Sequence, residues 1–301
     1  MSPRKSDLDA IEALVCRDLG RKTAALIEAT RGELETAARS LVAARSVGLI
    51  TGFFVPRGDV AAPETDGPVG TALLAASLVA CDVPARIAVD SPCADAVRAA
   101  VHATGQDVAV DEVGVEDRPG IERVIADWRA AGVSHAVAIE RCGLAADGRP
   151  RNMRGVDVSP WTAPLDDLFT SGPWTKIGVG DGGNEIGMGR LPQGLIAANV
   201  PNGDKIACIT SCDHLIVAGV SNWGAYGLMA ALAVLKEPWA PIIAKFLTAE
   251  RDLAVTRAVV EVGGVDGVTA RREPTVDGFG ADVHGPLVEE LRRIACGETA
   301  A

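Results

Sequence analysis

The chain has 301 residues, 48% hydrophobic and 23% charged, an ordinary globular balance with room for one large α/β domain or two small ones. Lys and Arg number 29 against 40 Asp and Glu, a formal charge of −11, which argues against nucleic acid and against an anionic membrane surface as partners. An anionic substrate then needs local arginines, backbone N–H groups or a metal ion.

Residues 1–9 carry charges of both signs and no apolar stretch, so no secretion signal is expected. No run approaches the roughly 18 consecutive apolar residues of a membrane span. The seven cysteines are scattered without zinc-site spacing and read as mostly buried, reduced thiols in a cytoplasmic protein.

Two helices are predicted first. Asp7 can cap a stretch with Leu8, Ile11, Leu14 and Val15 on one face, and Leu34, Ala37, Ala38, Leu41 and Val42 repeat that spacing after Gly32. Residues 1–46 are expected to pack as helices on a core formed by 47–301, the whole being continuous. The apolar run 47–55 reads as a strand covered on both faces. Helices are then predicted at 68–81, 92–104 and 119–131, alternating with strands at 85–90, 107–113 and 134–140. Residues 141–172 form a long connection with few regular signals. A strand follows at 175–180, strand material at 206–220, and helices at 221–235, 241–262 and 283–294. Residues 268–279 read as a polar loop closing over something. This alternation predicts an α/β fold with a mostly parallel sheet between helical layers. Ligands of such sheets gather at the carboxyl ends of the strands.

Acidic and amide groups cluster at those ends. Glu64 and Asp66 sit in a turn bracketed by Pro63 and Gly67-Pro68. They are suited to metal binding or proton transfer, although Asp66 could equally cap the helix that follows. Glu140 and Arg141 close a strand, leaving Glu140 either ion-paired to that arginine or free to bind a metal. The loop 180–189 is the richest. Its glycines permit close backbone approach, while Asp181, Asn184 and Glu185 are hard oxygen ligands for Mn²⁺, Mg²⁺ or Ca²⁺. It also contains a G-x-G-x-x-G at Gly178, Gly180 and Gly183. Asp181 inside the turn, and Gly187 and Gly189 in what should be the following helix, argue against a dinucleotide. No Gly-Lys-Ser/Thr follows, so no nucleotide cofactor is expected. Among the histidines, only His214 and His284 fall in predicted site loops. No nucleophile elbow occurs.

Read together, these segments resemble the D-glutamate cyclase C-terminal domain family. The stretches that carry the resemblance are 51–53, 64–68, Glu140 with Arg141, 152–157, 180–189, 213–219, 221–224 and 271–278. The sequence departs from the family pattern at Glu140-Arg-Cys-Gly143, where Glu-Arg-Pro-Gly is expected, and the domain that precedes this one in longer relatives is not expected here.

The resemblance implies a lyase that cyclises D-glutamate to 5-oxo-D-proline with loss of water, assisted by a divalent cation. The amine must attack an anionic γ-carboxylate. A cation would neutralise that carboxylate, a base would take the ammonium proton, and an acid would protonate the departing oxygen. The implied catalytic set is Glu64, Asp66, Glu140, Asp181 and Glu185, with the metal held among Asp66, Glu140, Asp181 and Glu185. Arg141, Arg154 or Arg271 would clamp a substrate carboxylate. Thr51, Gly52, Asn152, Gly182, Gly183, Asn184, Ser221 and Asn222 would complete the binding surface. The same strand ends would also suit a metal-dependent phosphatase or a non-catalytic amino-acid or metal-binding protein. Homo-oligomerisation is left open by the sequence.

Overall fold

A computed structural model describes residues 5–57, 60–192 and 194–298. Six parallel strands form the central sheet: β1 (Val47–Ile50), β4 (Ala85–Asp90), β5 (Ala109–Val113), β6 (His135–Ile139), β7 (Thr175–Gly180) and β8 (His214–Val217). Their spatial order is β5-β4-β1-β6-β7-β8. The chain therefore starts in the middle, runs to one edge, returns to β1 and runs to the other. This is the doubly wound order of dinucleotide-binding folds, with its switch point between β1 and β6. β1 pairs in register with β4 through Val47↔Ala85 and with β6 through Val47↔His135. Both faces are covered, so β1, β6 and the second halves of β4 and β7 are buried without alternation.

One core cluster joins the N-terminal helices, through Leu8, Ile11, Val15, Leu34 and Leu41, to Ile177, Val179 and Trp223. On the opposite face Trp128 and Trp174 meet edge to face, 5.5 Å between ring centroids, beside Val113, Ala136 and Leu215. Gly48 lies directly under Trp128, and any side chain there would overlap the indole. Among the described residues no helix is long and apolar enough to cross a membrane. All seven cysteines are free, five of them buried.

Three predicted elements are corrected. The apolar run 47–55 is not one strand. β1 ends at Ile50, Gly52 turns the chain at φ +109°, and an antiparallel hairpin leaves the sheet as β2 (Phe54–Arg57) and β3 (Val60–Pro63). A continuous apolar run cannot show this, because the hairpin buries Val55 and Ala62 against Val265 in a small core of its own. In 206–220 only β8 is strand; Cys208 and Ser211 make isolated bridges to the loops around Ala145 and Gly187. The helix predicted over 241–262 is interrupted, and Thr248 caps a fresh start at Ala249–Glu261 by accepting from Arg251 N at 3.1 Å.

Candidate active site

The carboxyl ends of β1, β6, β7 and β8 converge at the switch point. Glu140 is the first residue beyond β6 and is held in the left-handed region at φ +44°. Non-glycine residues adopt that conformation rarely, and it aims the side chain out of the strand path. Its Oε2 accepts from Ser221 Oγ at 2.6 Å.

Asp66 is fixed by a reciprocal arrangement of two helix starts. Its oxygens accept from the Ser221 and Asn222 N–H groups, at 3.0 and 2.8 Å, at the start of helix Ser221–Leu235. Asn222 Oδ1 in turn accepts from Gly67 N and Gly70 N, at 2.9 and 2.8 Å, at the start of helix Pro68–Ala80. Each helix thus receives its cap from the segment opening the other, which answers the unpaired N–H groups of both first turns.

Asp181 follows β7. Its Oδ1 pairs with Arg21 Nη1 at 2.5 Å, and its Oδ2 is buried without a hydrogen-bond partner. One oxygen each of Asp66, Glu140 and Asp181 lies within 4.8 Å of the others, and all three residues are buried. Burial pushes the carboxyls of Asp66, Glu140 and Asp181 well above the usual carboxylate range. For Asp66 and Asp181 Asp277 pushes in the same direction, for Glu140 Asp181 and Glu185 do, and Arg21 opposes the rise at Asp66 and Asp181. The cluster needs protons or a cation. Three convergent hard oxygens, with an unpartnered oxygen on Asp181 beside them, fit a divalent metal.

Glu140 and Asp181 line a cavity of about 380 Å³, together with Glu64, Asn152, Arg154 and Asn184. Asp66 sits just behind that wall. Four charged lining residues were not among the expected site residues: Arg21, Lys22, Arg57 and Asp277. Arg21 bridges Asp181 to Asp277, the second contact being 2.6 Å. Asp277 stands at φ +56° in the loop predicted to close over something. That loop is shaped by buried Asp266, whose oxygens accept from Val268 N, Thr269 N, Thr275 Oγ1 and Gly278 N. His284 steadies it from behind, accepting from Trp223 Nε1 at 2.8 Å and lying 3.2 Å from Phe279 O.

Several expected site residues are placed elsewhere. Arg141 is 1% exposed and turns away from the cavity, its guanidinium bonded to Asp90, Gly52 O and Ala163 O. Its ion partner is therefore Asp90, and Glu140 is left to the site. Arg271 is exposed and pairs with Glu273 at 3.8 Å. Glu185 is absent from the metal-suited cluster because both its oxygens are occupied: it accepts from Asp181 N, Gly182 N and Gly183 N at 2.6–2.8 Å. Those glycine N–H groups are correspondingly not available to a substrate. Gly52 and Asn222 serve as acceptors within the scaffold, and Thr51 Oγ1 is buried without a partner. His214 opens β8 at the far end of the sheet, 3.2 Å from Thr36 Oγ1. The G-x-G-x-x-G segment wraps around Glu185, and the next helix among the described residues is Leu195–Asn199.

The family model for the C-terminal part of D-glutamate cyclase-like proteins matches residues 11–292. The human protein named D-glutamate cyclase, mitochondrial, is 37% identical over 218 residues, covering 68% of this chain and 35% of the human one. This chain thus spans a minor share of that relative's length. With nearly its whole length under one family model, the chain belongs to the D-glutamate cyclase-like C-terminal family.

Proposed function

We propose that this chain is a metal-assisted lyase that closes D-glutamate to 5-oxo-D-proline with loss of water. The observation that carries the reading is the buried triad Asp66, Glu140 and Asp181 under a cavity whose rim bears cations. The family match favours cyclisation over phosphate-ester hydrolysis.

Asp66, Glu140 and Asp181 would hold the cation; when bound, it supplies neutralisation of the γ-carboxylate and polarisation of its carbonyl. The chain's residues then do the positioning. Lys22 and Arg154 line the cavity, and neither has a side-chain partner among the described residues, so both are open to a substrate carboxylate. Arg154 is held there by Asn152, whose Oδ1 accepts from Arg154 N and Val156 N at 3.0 and 3.1 Å. Phe53, Val55, Met153 and Val268 supply apolar wall for the methylene chain. Ser221 fixes the orientation of Glu140 through its hydroxyl. Because the substrate carries nucleophile and electrophile together, holding it folded is a large part of the catalysis.

The test is incubation of purified protein with D-glutamate, with Mn²⁺ or Mg²⁺ or with EDTA, following 5-oxoproline by chromatography. Product that appears with metal and vanishes with EDTA is expected. No product with any divalent cation would overturn the reading.

A further inference from the structure

Five carboxylates converge on this site, and only three belong to the cluster suited to a cation. Glu64 and Asp277 are the other two. Both line the cavity. Glu64 is 6% exposed, and its Oε1 has no hydrogen-bond partner. The Asp277 side chain is also 6% exposed, and its Oδ2 is ion-paired to Arg21 Nη2 at 2.6 Å. Buried carboxylate oxygens without donors are costly, and native structures keep few of them without a purpose.

The wall packs directly on Glu64. Gly267 lies against it so closely that a methyl group at that position would overlap Glu64 Oε2. The β3 end and the 265–278 loop are stitched together by Thr65 N to Val265 O and Thr65 Oγ1 to Thr275 O, at 2.9 and 2.8 Å. The two carboxylates are therefore held on one wall by the same scaffold.

Charge says what belongs there. Among the described residues Arg21 is the one cation ion-paired within the set, to Asp181 and Asp277, and a divalent ion on the triad would still leave Glu64 without an ion partner of its own. A primary ammonium brings one positive charge and three N–H donors, matching both deficits. Lys22 and Arg154, with no side-chain partners among the described residues, add an anion-binding rim to the same cavity.

We propose that Glu64 and Asp277 form an ammonium subsite, by which the cavity selects amino dicarboxylates over dicarboxylates that lack the amine. The identity of the substrate rests on the cyclase reading; the charge type of the ligand does not. Both side chains act as positioning residues, holding the nitrogen on the wall beside the triad.

Isothermal titration calorimetry in Mn²⁺ tests this with two pairs of probes, D-glutamate against glutarate and D-aspartate against succinate. D-Aspartate would have to close a four-membered ring and so stays intact during titration. In the unmodified protein each amine-bearing probe is expected to bind about 10- to 100-fold tighter than its counterpart, the worth of hydrogen bonds to charged groups. Asp277→Asn and Glu64→Gln should each erase most of that preference while leaving glutarate and succinate binding as tight or tighter. Retained glutarate binding also shows that the variants are folded. Equal loss for both members of a pair, or an unchanged preference, would overturn the subsite, as would an unmodified protein indifferent to the amine. Amine preference without 5-oxoproline formation would sink the cyclase reading and leave the subsite standing.

Discussion

Asp181 and Glu185 lie four residues apart in one loop, and their surroundings give the same functional group two different tasks. Glu185 accepts three backbone N–H groups and so shapes the turn from inside. Asp181 receives one guanidinium and keeps an oxygen free. Removing each should therefore fail differently. Glu185→Ala leaves buried N–H donors unpaired at about 1–3 kcal/mol apiece, so a loss of about 3 kcal/mol or more in urea unfolding is expected. Asp181→Asn should unfold at a denaturant concentration no lower than the parent, since it deletes a buried charge crowded by like charges. Its Mn²⁺ affinity by calorimetry should fall about tenfold or more. Stable Glu185→Ala protein with weakened metal binding would exchange the two assignments.

At the scale of elements, the reciprocal capping of helices Pro68–Ala80 and Ser221–Leu235 ties the β3 end to the end of β8. Asn222→Ala deprives Gly67 N and Gly70 N of their acceptor and loosens the frame around Asp66. A stability loss of about 2 kcal/mol is expected by thermal or urea melts; a change within 0.5 kcal/mol, roughly the scatter of surface substitutions, would show the caps to be incidental. The start of the first of these helices was readable, because Gly67-Pro68 punctuates it. Its cap was not, since the acceptor is 155 residues away. The same limit explains Arg21: it lies in a short segment without periodicity, and its partners stand 160 and 256 positions along the chain. Periodicity and turn chemistry are local signals, so they revealed Asp66, Glu140 and Asp181 at strand ends. They could not tell that Arg141 faces Asp90 or that Glu185 faces its own loop, because side-chain direction there is set by tertiary contacts.

For the molecule as a whole, the crowded buried carboxyls tie stability to pH. Glu64, Asp66, Glu140 and Asp181 all have carboxyls raised well above their ordinary range, chiefly by burial. The unfolded chain binds these protons only near about pH 4. From there up to the raised values the folded state holds more protons, so stability falls as pH rises through that window. Chelator-treated protein should accordingly melt at a higher temperature near about pH 6 than near about pH 8. Adding Mn²⁺ should narrow the difference by stabilising the alkaline sample most, because the ion takes over the protons' role. A melting temperature that climbs with pH in EDTA would contradict this account.

The bridge from Arg21 to Asp181 and Asp277 also has a consequence for how the protein is made. Synthesis proceeds from the N-terminus, and Asp66, Glu140 and Asp181 all emerge before Ser221, Asn222 and Asp277. The wall carrying Asp277, and the frame that Ser221 and Asn222 give to Asp66 and Glu140, exist only after residue 277 has left the ribosome. A nascent chain thus exposes the triad before it owns the enclosure around it. The emergence of residue 277, and not the arrival of the triad's side chains, is the event that closes the site.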